Sequence, residues 1–148
     1  ILNVPAGIGN PFFDSLESHI SSLMFSIPGV KSIVFGDDMT KLLGSEANDE
    51  YYYDNDTVKT YTNHNGGILG GISNGMPIVF SCAVRPTPTI AKEQQTINMA
   101  TGEDATLAAR GRHDPCIVHR ARIVVDCVTA LALCDILAGR YGTDWLGE

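Results

Sequence analysis

At 148 residues, 44% hydrophobic and 18% charged, the chain amounts to about one domain, can bury a real core, and has the composition of a soluble globular protein. A net charge of -7 argues against a general nucleic-acid binder, which is usually basic. No apolar run approaches the roughly 20 residues of a membrane span, and no basic-then-apolar leader opens the chain, so a cytoplasmic location without membrane contact is expected.

Asn10 followed by Pro11 reads as a helix start, an N-cap with proline at the first helical position. Leu16, Ile20, Leu23, Met24 and Ile27 then recur at helical spacing and predict an amphipathic helix ending before Pro28-Gly29. His19 is expected to sit idle on its surface. Val30 to Gly36 is short, β-branched and bounded by glycines, which predicts a strand. Asp37 or Asp38 can cap a helical segment through Met39 to Leu43. The polar stretch Gly44 to Asn63, with Tyr51-Tyr52-Tyr53 among acids, follows neither period and reads as a mobile excursion that packs on a neighbouring subunit.

Residues 63–75 hold five glycines in thirteen positions. Such a loop exposes N–H donors that can nest a phosphate or a flat ring, or it is simply a glycine-rich hairpin connection. It matches neither the phosphate loop ending in Gly-Lys-Ser/Thr nor a dinucleotide unit. Met76 to Arg85 alternates: Ile78, Phe80, Cys82 and Val84 on one face, Val79, Ser81, Ala83 and Arg85 on the other, so a strand is predicted. Arg85-Pro86-Thr87-Pro88-Thr89 comes next as a stiffened segment offering hydroxyls beside a cation. Gln94 to Met99 and Ala105 to Ala109 predict two further strands. From Ile117 to Ala138 the chain is apolar on nearly all sides, too long for a strand and closed by Gly139-Arg140, hence a helix that must be covered all round, by sheets or by a second half that this chain lacks. These elements predict an α+β fold, an antiparallel sheet packed against two long helices.

Charge is unevenly distributed. Seven acids lie between Asp37 and Asp56, whereas five arginines and one lysine face four acids between Arg85 and Arg122. Local potential governs capture, so the second region suits a small anionic ligand. The cysteines Cys82, Cys116, Cys127 and Cys134 form no Cys-x-x-Cys pair. All but Cys116 lie in apolar sequence, where cysteine is usually a small buried hydrophobe, as fits a reducing compartment. The chain begins at Ile1, not Met, in what reads as a loop, which gives the expectation of a piece of a longer protein.

Polar chemistry concentrates in Ala109 to His119. Pro115 keeps Asp114 out of the helical region, so Arg112, His113 and Asp114 are predicted on a short loop entering a helix. His113-x-x-Cys116-x-x-His119 has metal-like spacing, but Pro115 breaks the turn and no fourth ligand is evident, so no metal is expected. A nucleophilic Cys116 would gain from the arginines yet lacks an orienting third group. The anion-site reading joins Arg85, Arg110 and Arg112 to the glycine loop, with Asp114 either an ion-pair partner or a base beside the ligand.

Gly-Ile-Leu-Gly-Gly-Ile-Ser-Asn-Gly (67–75), Arg-Pro-Thr-Pro-Thr (85–89) and Gly-Arg-His-Asp-Pro-Cys (111–116) resemble, in order and spacing, signature blocks of chorismate synthase. Residues 44–49, Gly9-Asn10-Pro11 and the 26–31 turn are similar as well. The resemblance implies a β-α-β sandwich and a homotetramer. It implies conversion of 5-enolpyruvylshikimate 3-phosphate to chorismate by 1,4-anti elimination of phosphate, with reduced FMN and NADPH as a reductant. By motif, Gly29, Gly70, Arg85, Pro86, Thr87, Pro88, Thr89 and Arg112 would lie at the flavin, and Asp114 would assist proton removal. Arg85 stands where the family usually has lysine and Thr89 where it often has serine. Only the C-terminal part of the family is resembled. The N-terminal half, with the histidines assigned to catalysis, would be missing, and the isolated chain is expected to be inactive. The competing reading is a non-catalytic assembly module retaining anion or flavin binding.

Overall fold

The computed structural model describes residues 1–143. Helix α1 runs Leu16–Phe25 and begins later than predicted. Ser15 is its cap, its hydroxyl accepting from the Ser18 N–H at 3.0 Å. The Asn10-Pro11 signal leads instead into a 3-10 turn at Phe12–Asp14. Phe12 there adopts φ +65, which takes the backbone off the helical path before a helix can start from Pro11. Leu16, Ile20 and Met24 are fully buried along one side of α1, each contributing about 1.5–3 kcal/mol by leaving water.

Strand β1, Val30–Phe35, comes after the turn that ends α1. A short helix α2 (Gly44–Ala47) and strands β2 (Tyr51–Asp54) and β3 (Thr57–Thr60) occupy the stretch read as an irregular excursion. The two strands form an ordered hairpin, paired from Tyr51↔Thr60 to Asp54↔Thr57. Its turn residues Asn55 and Asp56 both take positive φ, +45 and +66, a conformation those side chains tolerate and tight hairpins need. Tyr52 stacks on Tyr61 with ring centroids 4.5 Å apart.

The glycine-rich stretch is a second hairpin, β4 (Ile68–Leu69) with β5 (Ile72–Ser73). Strand β6, Phe80–Val84, pairs antiparallel with β1, Ile33 opposite Cys82 and Phe35 opposite Phe80, with a bulge at Lys31. It is shorter than predicted because residues ahead of it are engaged elsewhere: the Ile78 N–H donates to the Ile1 carbonyl and the Val79 N–H to the Gly66 carbonyl. The alternation holds, with Phe80, Cys82 and Val84 packed on the core and Ser81 and Ala83 exposed. Burial pushes the Cys82 thiol up, away from the reactive thiolate.

Strands β7 (Gln94–Asn98) and β8 (Glu103–Leu107) make a further hairpin, largely exposed. Helix α3, Val118–Tyr141, packs against α1. The architecture is α+β: the strands form four antiparallel pairs, β1–β6, β2–β3, β4–β5 and β7–β8, with α1 packed on β1 and α3 on α1. Within this chain α3 is covered on one side only, which leaves the other side for the second half expected to be missing. Thr129 and Ala132 are buried, while Ile123, Val124 and Leu131 are exposed. Cys127 and Cys134 are exposed too, not buried as their surroundings predicted. His19 Nε2, on α1, lies 3.0 Å from Asp135 Oδ2 on α3.

Two features fasten the approach to the glycine-rich hairpin. At Gly36, φ +65, an added methyl would overlap the His64 carbonyl oxygen and Gly66 backbone, so the two segments touch only because neither glycine carries a side chain. Asp49, 3% exposed, accepts from the Thr62 hydroxyl at 2.6 Å, the His64 N–H at 2.8 Å, and the Asn65 N–H and side-chain amide at 3.0 and 2.8 Å.

Candidate functional site

The Arg85–Thr89 segment leaves the end of β6 and is steered by its first amide. The Arg85 N–H donates to the Gly29 carbonyl at 2.7 Å, and Pro86 and Pro88 keep the rest of the segment extended. Gly29, φ +95, sits where an added methyl would meet Val84 and Ile117 side chains at 3.7 Å. The 111–115 loop turns at Gly111, φ +117, and runs into Ile117, the N-cap of α3, which offers no side-chain cap. The first amides of α3 thus leave a positive end at this corner.

The two segments meet. Thr87, Thr89, Arg112, His113, Asp114, Ile117 and Arg120 line a cavity of about 400 Å³. An adjoining one of about 380 Å³ is lined by Pro86, Thr87, Thr89, Ile90, Ala91 and the 111–115 loop without Arg112. Four residues, Thr87, Thr89, His113 and Asp114, belong to both. Volumes of this size suit a small-molecule ligand.

Within the site, Asp114 Oδ2 lies 3.1 Å from Arg120 Nη1, an exposed pair, so the carboxylate meets an arginine of α3 and not Arg112. Two polar atoms are left over: Thr87 Oγ1 and His113 Nε2 are buried and have no hydrogen-bond partner among the described residues. A buried donor or acceptor without a partner costs about 1–3 kcal/mol, which a ligand can return.

The predicted residues do not all converge. Pro86, Thr87, Thr89, Arg112 and Asp114 line the cavities, and Gly29 borders them through Ile117. Arg85 and Pro88 are exposed on the same segment. Gly70, φ +59, is elsewhere, at the exposed tip of the β4–β5 hairpin. The carbonyl of its neighbour Gly71 accepts from the Leu16 N–H at 3.0 Å, which puts it at the start of α1, whereas Gly29 lies just past the end of that helix. The ten residues of α1 separate them by about 15 Å. Sequence reasoning passed over Arg120 and gave His113 no role beyond a rejected metal spacing. The signal for His113 was available, because Pro115 holds both 113 and 114 on the same loop.

A second concavity, about 370 Å³, lies between α1 and the end of α3 and includes Asn10, Asp14, His19 and Arg140. None of the predicted site residues lines it. Among the described residues no three His, Cys, Asp or Glu side chains converge as metal ligands, and no helix is long and apolar enough to cross a membrane.

Residues 1–138 match the family model described as chorismate synthase. The chain is 50% identical over 143 residues to the chorismate synthase of Gloeothece citriformis (strain PCC 7424), covering 95% of this chain and 39% of that protein. It is 49% identical over 140 residues to that of Lachnoclostridium phytofermentans, covering 93% and 38%. A solved crystal structure of chorismate synthase superposes with a TM-score of 0.73 at 27% identity, over 95% of this chain and 36% of the other. The chain therefore spans about two fifths of the length of the relatives it matches.

Proposed function

Because the chain belongs to the chorismate synthase family, we propose that it forms the cofactor-holding part of a lyase that eliminates phosphate from 5-enolpyruvylshikimate 3-phosphate to give chorismate. The observation that carries this reading is the meeting of the Thr87 and His113 polar atoms, both buried and unpaired among the described residues, with Arg112 around one cavity. A flat, phosphorylated cofactor such as reduced FMN fits that donor set, since guanidinium, hydroxyl and helix-terminal N–H groups are the usual partners of phosphate. Bound there, its contribution would be transient electron donation that eases departure of the substrate phosphate without net redox change.

The chain's own residues take the remaining tasks. Arg112 supplies charge for an anion, and Thr87 and Thr89 supply hydroxyls. Gly29 takes the positive φ of the turn whose carbonyl holds the Arg85 N–H at the start of the segment. Asp114, held loosely by Arg120, is placed to take or relay a proton from the bound molecule. The exposed apolar side of α3 is the surface on which the remaining three fifths of the enzyme, or a neighbouring subunit, would pack. The homotetramer and NADPH belong to this reading at the level of the complete enzyme, in the cytoplasm.

Flavin titration followed by fluorescence tests the proposal. Arg112→Ala is expected to weaken FMN binding about tenfold or more, the size of one lost charge-assisted hydrogen bond, and Arg85→Ala by less because it stands outside the cavity lining. No FMN binding by the unsubstituted protein would favour an assembly module instead, to which the uncovered face of α3 also points. Supplied with reduced FMN and the phosphorylated substrate, the 148-residue chain alone is expected to yield no chorismate. Turnover by it would show that the rest of the enzyme is not needed.

A further inference from the structure

We propose that His113 is a ligand-binding residue of this site, its Nε2 and the Thr87 hydroxyl together taking a phosphate oxygen of the bound molecule. The inference rests on the anion-binding reading above and adds a residue that the motifs did not assign.

His113 borders both adjoining cavities. Its Nε2 is buried yet makes no hydrogen bond among the described residues, and the same is true of Thr87 Oγ1 on the facing segment. One such atom is an ordinary defect. These two come from segments far apart in sequence and line the same hollow, where a ligand's own polar atoms can complete the network. The surroundings decide which ligand chemistry fits. Arg112 has no ion-pair partner among the described residues, the α3 amides are uncapped, and the one carboxylate in the lining, Asp114, is occupied by Arg120 at 3.1 Å. Every other polar side chain of the lining is able to donate, once the imidazole carries its proton on Nε2. A multiply anionic, acceptor-only group answers such a set, and phosphate does so with the most oxygens.

The phosphate could belong to the cofactor or to the substrate, and the two give different results. The test uses a complete family enzyme carrying this segment, unsubstituted and as His113→Ala and His113→Gln, with FMN and riboflavin titrated separately. If the cofactor phosphate is held, His113→Ala weakens FMN about ten- to thirtyfold, leaves riboflavin affinity unchanged, and is largely rescued by His113→Gln, whose amide can still donate. If the substrate phosphate is held, FMN affinity stays and the KM for the phosphorylated substrate rises by a similar factor with kcat nearly constant. Equal loss of FMN and riboflavin, or a fall in melting temperature that accounts for the change, makes His113 a packing residue and overturns the inference. No change in either ligand overturns it too. Should the unsubstituted enzyme bind no flavin at all, the flavin reading falls by itself. Phosphorus NMR of inorganic phosphate, broadened by the unsubstituted protein and not by His113→Ala, then upholds the anion site alone, and equal spectra end it.

Discussion

Asp114→Asn, made in a complete family enzyme carrying this segment, is expected to lower turnover by about 10²- to 10⁴-fold, the range of a positioned acid or base. Stability should change little. The carboxylate's ion-pair partner is Arg120, in a pair whose side chains are 41% and 81% exposed, and such pairs are worth about 0–1 kcal/mol. FMN affinity should also hold within about threefold, since asparagine keeps the shape and removes only the ability to accept a proton. That separation is what distinguishes a proton-handling group from a tether. If turnover stays within about tenfold, well short of the general-base range, Asp114 serves only to dock the 111–115 loop onto α3, and a charge-reversed Arg120→Glu should then be the more damaging change. Single-turnover measurements settle where the loss falls, because a slowed chemical step persists when binding and release are removed from view.

Where a local rule had no competitor, the sequence was easy to read. The alternation of Phe80, Cys82 and Val84 marked β6, and its partner β1 was bounded by glycines. The failures have different causes, some local and some far along the chain. Residues 44–63 looked aperiodic because their hairpin buries little; it is held by Asp49 bonds to Thr62, His64 and Asn65 and by the Tyr52–Tyr61 stack. The three β-prone tyrosines, then Asn55-Asp56, then Thr57 to Thr60, did spell a two-residue hairpin. The start of α1 was misplaced because Ser15 outcompeted Asn10 as cap once Phe12 left the helical region. For α3 the pattern marked the helix, but hydrophobicity states that a face will be covered and not by what: one side meets α1, and the other is left for a part outside this chain. The motifs named Thr87, Arg112 and Asp114, which the fold brings to one hollow, but spacing along a chain cannot reveal that Gly70 lies at the opposite end of α1, or that His113 keeps an unpaired nitrogen in the same hollow.

Asp49→Ala is expected to destabilise the chain by about 3 kcal/mol or more, the cost of stranding several buried donors, which for a domain of this size corresponds to a fall of roughly 6–12 °C in melting temperature. Burial pushes the Asp49 carboxyl up, but bonds from Thr62, Asn65 and His64 together outweigh it and hold the pKa at about 2, below the ordinary 3.8. Folding thus favours the ionised form. The stabilisation is whole above pH ~4, where the carboxylate is charged in folded and unfolded chains alike, and it is lost as pH falls through about 2. A difference of that size is worth roughly 2 kcal/mol, so denaturant midpoints of the unsubstituted chain should decline across this window while those of Asp49→Ala decline less. Hydrogen exchange provides the local readout. The His64 and Asn65 amides, which donate to Asp49, should lose protection in the variant before the α1 amides do. The clasp between Gly36 and Gly66 and the bonds that tie Gly71 and Ser73 to Leu16 and Ile8 would still hold the β4–β5 hairpin. Equal acid sensitivity in both proteins, with those amides still protected, would mean that the hairpin is held by its glycine contacts and that the Asp49 bonds are secondary to them.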